Sequence, residues 1–194
     1  MSIRHRIRQG GMSLIEMIMF IVIVGAALAG VLTVFYQTVL RSSDPLVRKQ
    51  ALAIAESVLE EVMLQPFTWC DPDDRSAATA TGATLDGTAT ESTKCWDAVE
   101  ASGVETVSGN TDTRGSATSP FDNVSDYHGL SGIATGITGA AFPAGYSASV
   151  SVVQTALNGI AATESLLITV TVSSPGESVQ LQGYRTRHSP NLLP

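Results

Sequence analysis

A single carboxylate borders the most apolar segment of the chain. Glu16 comes directly before residues 17–35, in which Thr33 is the only polar side chain. A charge at the level of the bilayer hydrocarbon is costly, and it usually persists only where it has a partner or a function. Glu16, five residues after Gly11, is therefore the first candidate for a functional residue. The alternative is a carboxylate that lies among lipid headgroups and has no role.

The sequence contains two cysteines, Cys70 and Cys95. In an exported domain an even number of cysteines predicts a disulfide bond. Closing the loop from 70 to 95 would stabilise the fold by about 3.5 kcal/mol in the loop-entropy description. Two free thiols are the alternative. Trp69 and Trp96 each adjoin one of the cysteines, and we expect them to pack around the disulfide rather than to bind a ligand.

Two short stretches concentrate carboxylates, "DPDD" at 71–74 and "FDNVSD" at 121–126. Hard cations prefer several oxygen ligands, so calcium binding stays open, although EF-hand spacing is absent. We interpret both stretches as solvated acidic turns. The three histidines and two cysteines show no ligand spacing. The sequence therefore predicts no metal site and no other cofactor.

The common catalytic motifs are missing from the sequence: it contains no G-x-S-x-G, no P-loop and no H-E-x-x-H. We therefore expect a protein that is not an enzyme. The alternative of a membrane-anchored enzyme predicts activity in the fragment 45–194 that does not depend on Glu16.

Charge is distributed unevenly along the chain. The net charge is -7, which disfavours nucleic-acid binding. Residues 1–11 carry three arginines and no acidic residue, which leaves 8 basic against 18 acidic residues, or -10, for the rest. A basic N-terminus before an apolar segment predicts a cytoplasmic N-terminus and an exported remainder. The 19 apolar residues would form a helix of roughly 28 Å, close to the ~30 Å hydrocarbon core.

The apolar pattern continues as a helix over 12–43 and is interrupted at Pro45, where Asp44 can cap a second helix. Residues 44–65 then read as an amphipathic helix, continuous with the first or kinked at Pro45. Its expected apolar stripe consists of Ala51, Leu52, Ala55, Val58, Leu59 and Val62. Off the stripe we expect Gln50, Ser57, Glu60 and Glu61.

The remainder divides into a loop-rich region, residues 66–145, and a β region, residues 146–194. The first is rich in Ala, Thr and Gly without periodicity. The second alternates apolar and polar residues in three runs separated by turn sequences, which predicts an antiparallel meander with one apolar face. Helix 44–65 would cover that face. The predicted fold class is α+β.

The stretch "GGMSLIEMIMFIVIV" resembles the class III signal of type IV pilins and type II secretion pseudopilins. The resemblance implies that residues 1–11 are a leader, removed between Gly11 and Met12 by a prepilin peptidase. Met12 would then be methylated, and Glu16 would be the fifth residue of the mature chain. The family usually has Phe at the position of Met12. This departure is mild, because the peptidase mainly needs the Gly and the Glu.

The resemblance further implies that helix 12–43 spans the inner membrane once, with the C-terminal domain in the periplasm, before assembly into a pilus at the cell surface. Its partners would be other pilins, through this helix, and the inner-membrane assembly platform. In the filament, Glu16 would neutralise the N-terminus of a neighbouring subunit. Gly25 and Gly30 fit a helix that packs closely or unwinds locally on assembly, or they are ordinary transmembrane glycines.

Further stretches narrow the resemblance. "ALAIAESVLEEVMLQPF" is similar to V-type minor pilins and I-type pseudopilins. "WCDP", "FDNVSDYHGL" and the terminal "LLITVTVSSPGESVQLQGYRTRHSP" are similar to D-type minor pilins of mannose-sensitive haemagglutinin pili. The implied function is that of a minor pilin that primes or decorates the filament. A minor pseudopilin of a type II secretion system is the near alternative. A secreted binding domain, released by ordinary signal peptidase after Ala29, is a remote one.

Overall fold

The computed structural model describes residues 11, 13–41, 44–86, 93–107 and 109–191. The chain forms two compact units, Met1–Leu46 and Val47–Pro194, which are described separately below. Met12, with nearly all of the expected leader, lies outside the described residues.

The first unit contains helix α1, Leu14–Arg41. It begins where the carbonyl oxygen of Ser13 accepts hydrogen bonds from the N–H groups of Glu16, at 3.0 Å, and Met17, at 3.2 Å. Most of the long apolar side chains of α1 are exposed, with Leu14 at 79% and Phe35 at 66%. The apolar N-terminal helix predicted from the sequence is therefore present.

Helix α2 covers Asp44–Leu64. From Val47 onwards it belongs to the second unit. Pro45 occupies its first turn, where a missing backbone N–H costs no hydrogen bond. One face of α2 is buried in the main hydrophobic core, through Ala51, Ile54, Ala55, Val58 and Val62.

The prediction for the faces of α2 is wrong at two positions. Leu52 is 36% exposed, and its place in the core is taken by Ile54. Glu61, expected on the polar face, is only 7% exposed. Leu59 lies at the edge of the core, where it is partly buried.

The main sheet is antiparallel and has three strands in sequential order, the predicted meander. The strands are β3, Ser147–Gln154, β4, Ser165–Ser174, and β5, Glu177–Thr186. Val150 lies opposite Val170, and Val170 lies opposite Leu181. The alternation predicted from the sequence is observed, since one face of β3 and β4 is buried through Ala148, Val150, Val152, Leu166, Ile168, Val170 and Val172.

Helix α2 covers this face, as the sequence predicts. Helix α2 approaches the sheet closely at Gly183 in β5. A Cβ atom built there would lie 3.4 Å from Cδ1 of Leu59 and 3.6 Å from Sδ of Met63. A glycine at this position lets α2 lie directly on the strand.

The region between α2 and β3 has little regular structure, in line with its composition. Two short strands, β1, Thr106–Val107, and β2, Asn110–Thr111, form a hairpin. A 3₁₀ turn covers Ser125–Tyr127. The Cys70–Cys95 disulfide is formed, as the cysteine count predicts, and a small second core surrounds it. Trp69 packs against that core, while the ring of Trp96 lies under the guanidinium of Arg75 at 3.9 Å.

The buried carboxylate of Asp74 accepts four backbone hydrogen bonds within this loop region. Its Oδ1 accepts hydrogen bonds from the N–H groups of Ser76 and Trp96, at 2.8 and 3.1 Å. Its Oδ2 accepts from those of Asp97 and Ala98, at 2.6 and 3.0 Å. Burial alone would raise the pKa of Asp74, but these four bonds outweigh it and lower the pKa. The carboxylate thus joins the two ends of the disulfide loop.

Candidate functional site

The N-terminal helix places Glu16 in its first turn with an exposed side chain. Gly11 is also exposed. The hydroxyl of Thr33 donates a hydrogen bond to the carbonyl oxygen of Gly30 at 2.7 Å, so this polar group is satisfied inside the helix. The part Leu14–Gln37 is long and apolar enough to cross a membrane. Helical geometry is unbroken at Gly25 and Gly30.

The second unit contains a feature that the sequence prediction missed, a buried acidic centre. We use this name for two groups of three carboxylates. The first triad is Asp71, Glu100 and Glu105, and the second triad is Asp112, Asp122 and Asp126. Within each triad, one oxygen from every residue lies within 4.8 Å of the others.

Backbone pairing explains how the first triad forms. Cys70 and Val99 form an antiparallel bridge, which places Asp71 opposite Ala98 and Glu100 opposite Trp69, so that Asp71 and Glu100 are diagonal neighbours on one face of the pairing. The N–H of Glu100 donates to the carbonyl oxygen of Trp69 at 3.2 Å, and the N–H of Asp71 donates to that of Ala98 at 3.4 Å. The pairing is long-range in sequence, which is why spacing did not reveal it.

The β1–β2 hairpin connects the two triads. The N–H of Asp112 donates to the carbonyl oxygen of Glu105 at 3.2 Å, so one residue of each triad lies at the open end of the hairpin. In the second triad, Oδ2 of Asp126 accepts hydrogen bonds from the N–H groups of Asp122, at 2.9 Å, and Asn123, at 2.8 Å. This local turn places Asp122 beside Asp126.

The interpretation of the acidic stretches as solvated turns is wrong for Asp71, Asp74 and Asp126, whereas Asp73 is exposed. Asp71 and Asp126 are each 1% exposed, Asp74 is 4% exposed, and Asp112 is 4% exposed. Burial is accordingly the main cause of every raised pKa in the centre. It acts together with repulsion between the carboxylates.

The shifts are large at several positions. Burial, then repulsion from Asp126, Asp71 and Asp112, raises the pKa of Asp122 to about 8. Burial, then the charge of Asp71, raises the pKa of Glu105 to about 7. The pKa of Asp71 and that of Asp126 rise to about 6 through burial, although backbone hydrogen bonds oppose the rise. Burial and the charge of Glu105 raise the pKa of Glu100 well above its ordinary value.

Two nearby arginines are engaged elsewhere. Arg114 is paired with Glu61 on α2. Arg187 pairs with Glu164 at 3.3 Å, and its guanidinium stacks on the rings of Phe67 and Trp69 at 3.8 and 4.0 Å. Burial lowers the pKa of Arg187, and the charge of Glu164, followed by that of Glu100, partly opposes this shift.

Three oxygens of the acidic centre are buried and have no hydrogen-bond partner among the residues that the structure describes. They are both carboxylate oxygens of Glu100 and Oδ1 of Asp122. A small cavity of about 70 Å³ lies beside Glu100 and is also lined by Ser125 and Arg187. Buried polar atoms in native proteins are nearly always paired with protein, water or an ion. These three atoms are therefore candidate ligand atoms.

No family model, curated protein or solved structure matches this chain.

Among the sequence-predicted site residues, the structure joins Cys70 to Cys95 and places Glu16 in the first turn of α1. It does not describe Met12. Sequence reasoning singled out 71–74 and 121–126 but missed Glu100, Glu105 and Asp112. The available signal was compositional, since all three are acidic residues in the same loop-rich region, close to the disulfide in the chain.

Proposed function

We propose that the protein is a minor pilin, a structural subunit that primes or decorates a type IV pilus. The observation that supports this most strongly is helix α1, an exposed apolar helix with a carboxylate in its first turn. The resemblance of "GGMSLIEMIMFIVIV" to the prepilin signal gives that carboxylate a role. Gly11 and Met12 would flank the cleavage site, and Met12 would carry the methyl group.

Helix α1 needs an apolar environment. Phe20 and Phe35, for example, are 64% and 66% exposed. A helix with such a surface satisfies its own backbone hydrogen bonds, so it is stable in lipid or inside a bundle of similar helices. A pilin requires both environments, first the inner membrane and then the core of the filament.

Glu16 supplies the specificity that apolar packing lacks. An apolar helix can slide along its neighbours with little change in free energy. A buried carboxylate that pairs with the positive N-terminus of a neighbouring subunit fixes one axial position, because breaking such a pair costs about 3–5 kcal/mol. In this proposal Glu16 sets the register of an incoming subunit.

The proposed location follows the charge and the cysteines. The arginines before Gly11 favour a cytoplasmic N-terminus. The disulfide favours an oxidising compartment for the second unit. The protein would therefore span the inner membrane once, with its C-terminal unit in the periplasm. It would meet the prepilin peptidase and the assembly platform at the inner membrane.

The mass of the N-terminal peptide from purified membranes tests the proposal. A peptide that begins at Met12 and is heavier by one methyl group is the expected result. A Gly11→Ala variant serves as the control and should retain the leader. An intact Met1 in the wild type would overturn the proposal, and a start at Gly30 would indicate a secreted domain instead.

The same N-terminal chemistry would serve a minor pseudopilin of a type II secretion system. Deletion of the chain separates the two systems. Loss of surface pili with normal secretion of exoproteins supports the pilus, and the opposite result supports the pseudopilus.

A further inference from the structure

The acidic centre is unfavourable unless something neutralises it. Asp71, Asp112 and Asp126 are buried and the other three carboxylates are half-buried, while the two nearby arginines form their ion pairs with other residues. Moving charges out of water is costly, and repulsion at short distance adds to that cost. A cation bound between the carboxylates would remove both penalties.

The spacing in each triad fits one ion. Ca²⁺ binds oxygen at about 2.3–2.6 Å, so two ligands on opposite sides of it are separated by roughly 5 Å at most. The three oxygens of each triad lie within 4.8 Å of one another. A single ion can therefore contact all three without a change of the backbone.

Unpaired oxygens provide an independent indication. Among the described residues, neither carboxylate oxygen of Glu100 in the first triad has a hydrogen-bond partner, and the same is true of Oδ1 of the half-buried Asp122 in the second triad. Each triad thus contains at least one acceptor oxygen that is not hydrogen-bonded to a described residue and could ligate an ion.

We propose that the acidic centre binds calcium, one ion in each triad. The oxygens of both triads are carboxylate oxygens, which suit Ca²⁺ and other hard cations, whereas zinc favours nitrogen and sulfur. Calcium is preferred over magnesium because loops accept its flexible coordination of six to eight oxygens, with water completing the shell. Magnesium demands near-ideal octahedral geometry.

The ions would organise the loop-rich region. The first triad connects the start of the disulfide loop to residues 100–105, and the second connects the β1–β2 hairpin to the 3₁₀ turn Ser125–Tyr127. This region has few strands of its own, so bound ions would replace part of the missing hydrophobic core. The inference does not depend on the pilin proposal.

The test uses the full-length protein in detergent, stripped with EDTA and exchanged into metal-free buffer. Thermal unfolding is followed at constant ionic strength with and without 1 mM CaCl₂ or MgCl₂. A calcium concentration of about 1 mM is close to the upper Kd of extracellular calcium modules. Isothermal titration with CaCl₂ gives the number of ions. We expect two ions per chain. Even for sites with a Kd of about 1 mM, calcium should raise Tm by about 2–3 °C, and tighter sites should give a larger rise.

Glu100→Gln alters the first triad and Asp122→Asn the second, each without changing size. Each variant should bind one ion fewer and show a smaller calcium-dependent rise in Tm. In metal-free buffer neither should melt below the wild type, because each change removes a repelling charge. Glu56→Gln and Asp97→Asn, at exposed positions, are the matched controls and should behave as the wild type.

Several results would overturn the proposal. One is the absence of calcium binding in the titration together with an unchanged Tm. Another is an undiminished calcium response in Glu100→Gln and Asp122→Asn, which would place the ions elsewhere. A single ion in the wild type would refute the two-triad arrangement, and an equal response to MgCl₂ would refute the assignment to calcium.

Discussion

Arg114 and Glu61 form a two-bond ion pair between the loop region and helix α2. Nε of Arg114 lies 2.7 Å from Oε1 of Glu61, and Nη2 lies 2.6 Å from Oε2. The hydroxyl of Tyr127 donates a third hydrogen bond to Oε1, at 3.0 Å. The side chains of Arg114 and Glu61 are only 13% and 5% exposed, so little water screens the pair. Hydrogen bonding to Glu61 is the main cause of the raised pKa of Arg114.

Replacing Arg114 with methionine should destabilise the fold strongly. Methionine keeps an apolar stem but leaves the Glu61 carboxylate buried without its charge partner, which typically costs about 3–5 kcal/mol. The measurement is the free energy of unfolding from urea denaturation of the full-length protein in detergent. Arg48→Met, at an exposed position of α2, is the control and should change stability by no more than about 0.5 kcal/mol. A similar small effect at Arg114 would contradict the role of the pair.

Gly183→Ile should weaken the packing of α2 on the sheet. A Cβ at this position already lies 3.4 Å from Leu59, so the larger side chain must displace the helix. Overpacking of this kind costs about 1–3 kcal/mol, and we expect a lower midpoint of urea unfolding. Gln182→Ile places the same side chain on the exposed face of β5 and should be close to neutral. If both variants unfold at the same midpoint, α2 does not pack on Gly183 in solution.

Removing the disulfide should destabilise the loop region more than the sheet. In the loop-entropy description, the double variant Cys70→Ala/Cys95→Ala loses about 3.5 kcal/mol. Hydrogen exchange should increase first in residues 70–99, around the second core, while β3, β4 and β5 keep their protection. Equal loss of protection in the loops and the sheet would instead show that the two cores unfold together.

In metal-free buffer, Asp122 should make stability fall as pH rises. Its pKa of about 8 in the folded protein lies above its ordinary value of 3.8, so the folded state holds an extra proton between these limits. The penalty is therefore absent below about pH 4 and complete above about pH 8. The wild type and Asp122→Asn should melt alike near pH 4, and the variant should melt higher at pH 8.5. With Asp97→Asn as the exposed control, the difference from wild type should stay constant over this range.

Much of the fold could be predicted from the sequence because its signals are local. The apolar run that becomes α1 and the period-two alternation of β3 and β4 each occupy one continuous stretch. The meander follows from three such strands joined by short turns. The α2 stripe was less accurate, because the helical period cannot say whether Leu52 or Ile54 meets the sheet. That choice depends on how the helix is rotated over Gly183.

The buried carboxylates could not be predicted because their environment is created by distant residues. Glu61 sits on α2 at a position that spacing assigns to solvent, yet Arg114, 53 residues later, pairs with it in the interior. Glu100 and Asp71 meet only through the bridge between Cys70 and Val99. Polarity in a loop normally indicates exposure. Here the loops fold over one another and bury their charges.

Glu16→Ala should separate membrane insertion from filament assembly. The apolar surface of α1 is unchanged, so the variant should reach the inner membrane and be processed normally. Without the carboxylate, an incoming subunit loses the pairing that would fix its register, so we expect a strong reduction of the protein in sheared pili relative to membranes. Glu16→Gln keeps the size of the side chain and should share the defect, since the charge is what matters. Glu56→Ala, at an exposed position of α2, is the control and should assemble normally. Normal incorporation of Glu16→Ala into sheared pili would refute the pairing mechanism while leaving the membrane anchor intact.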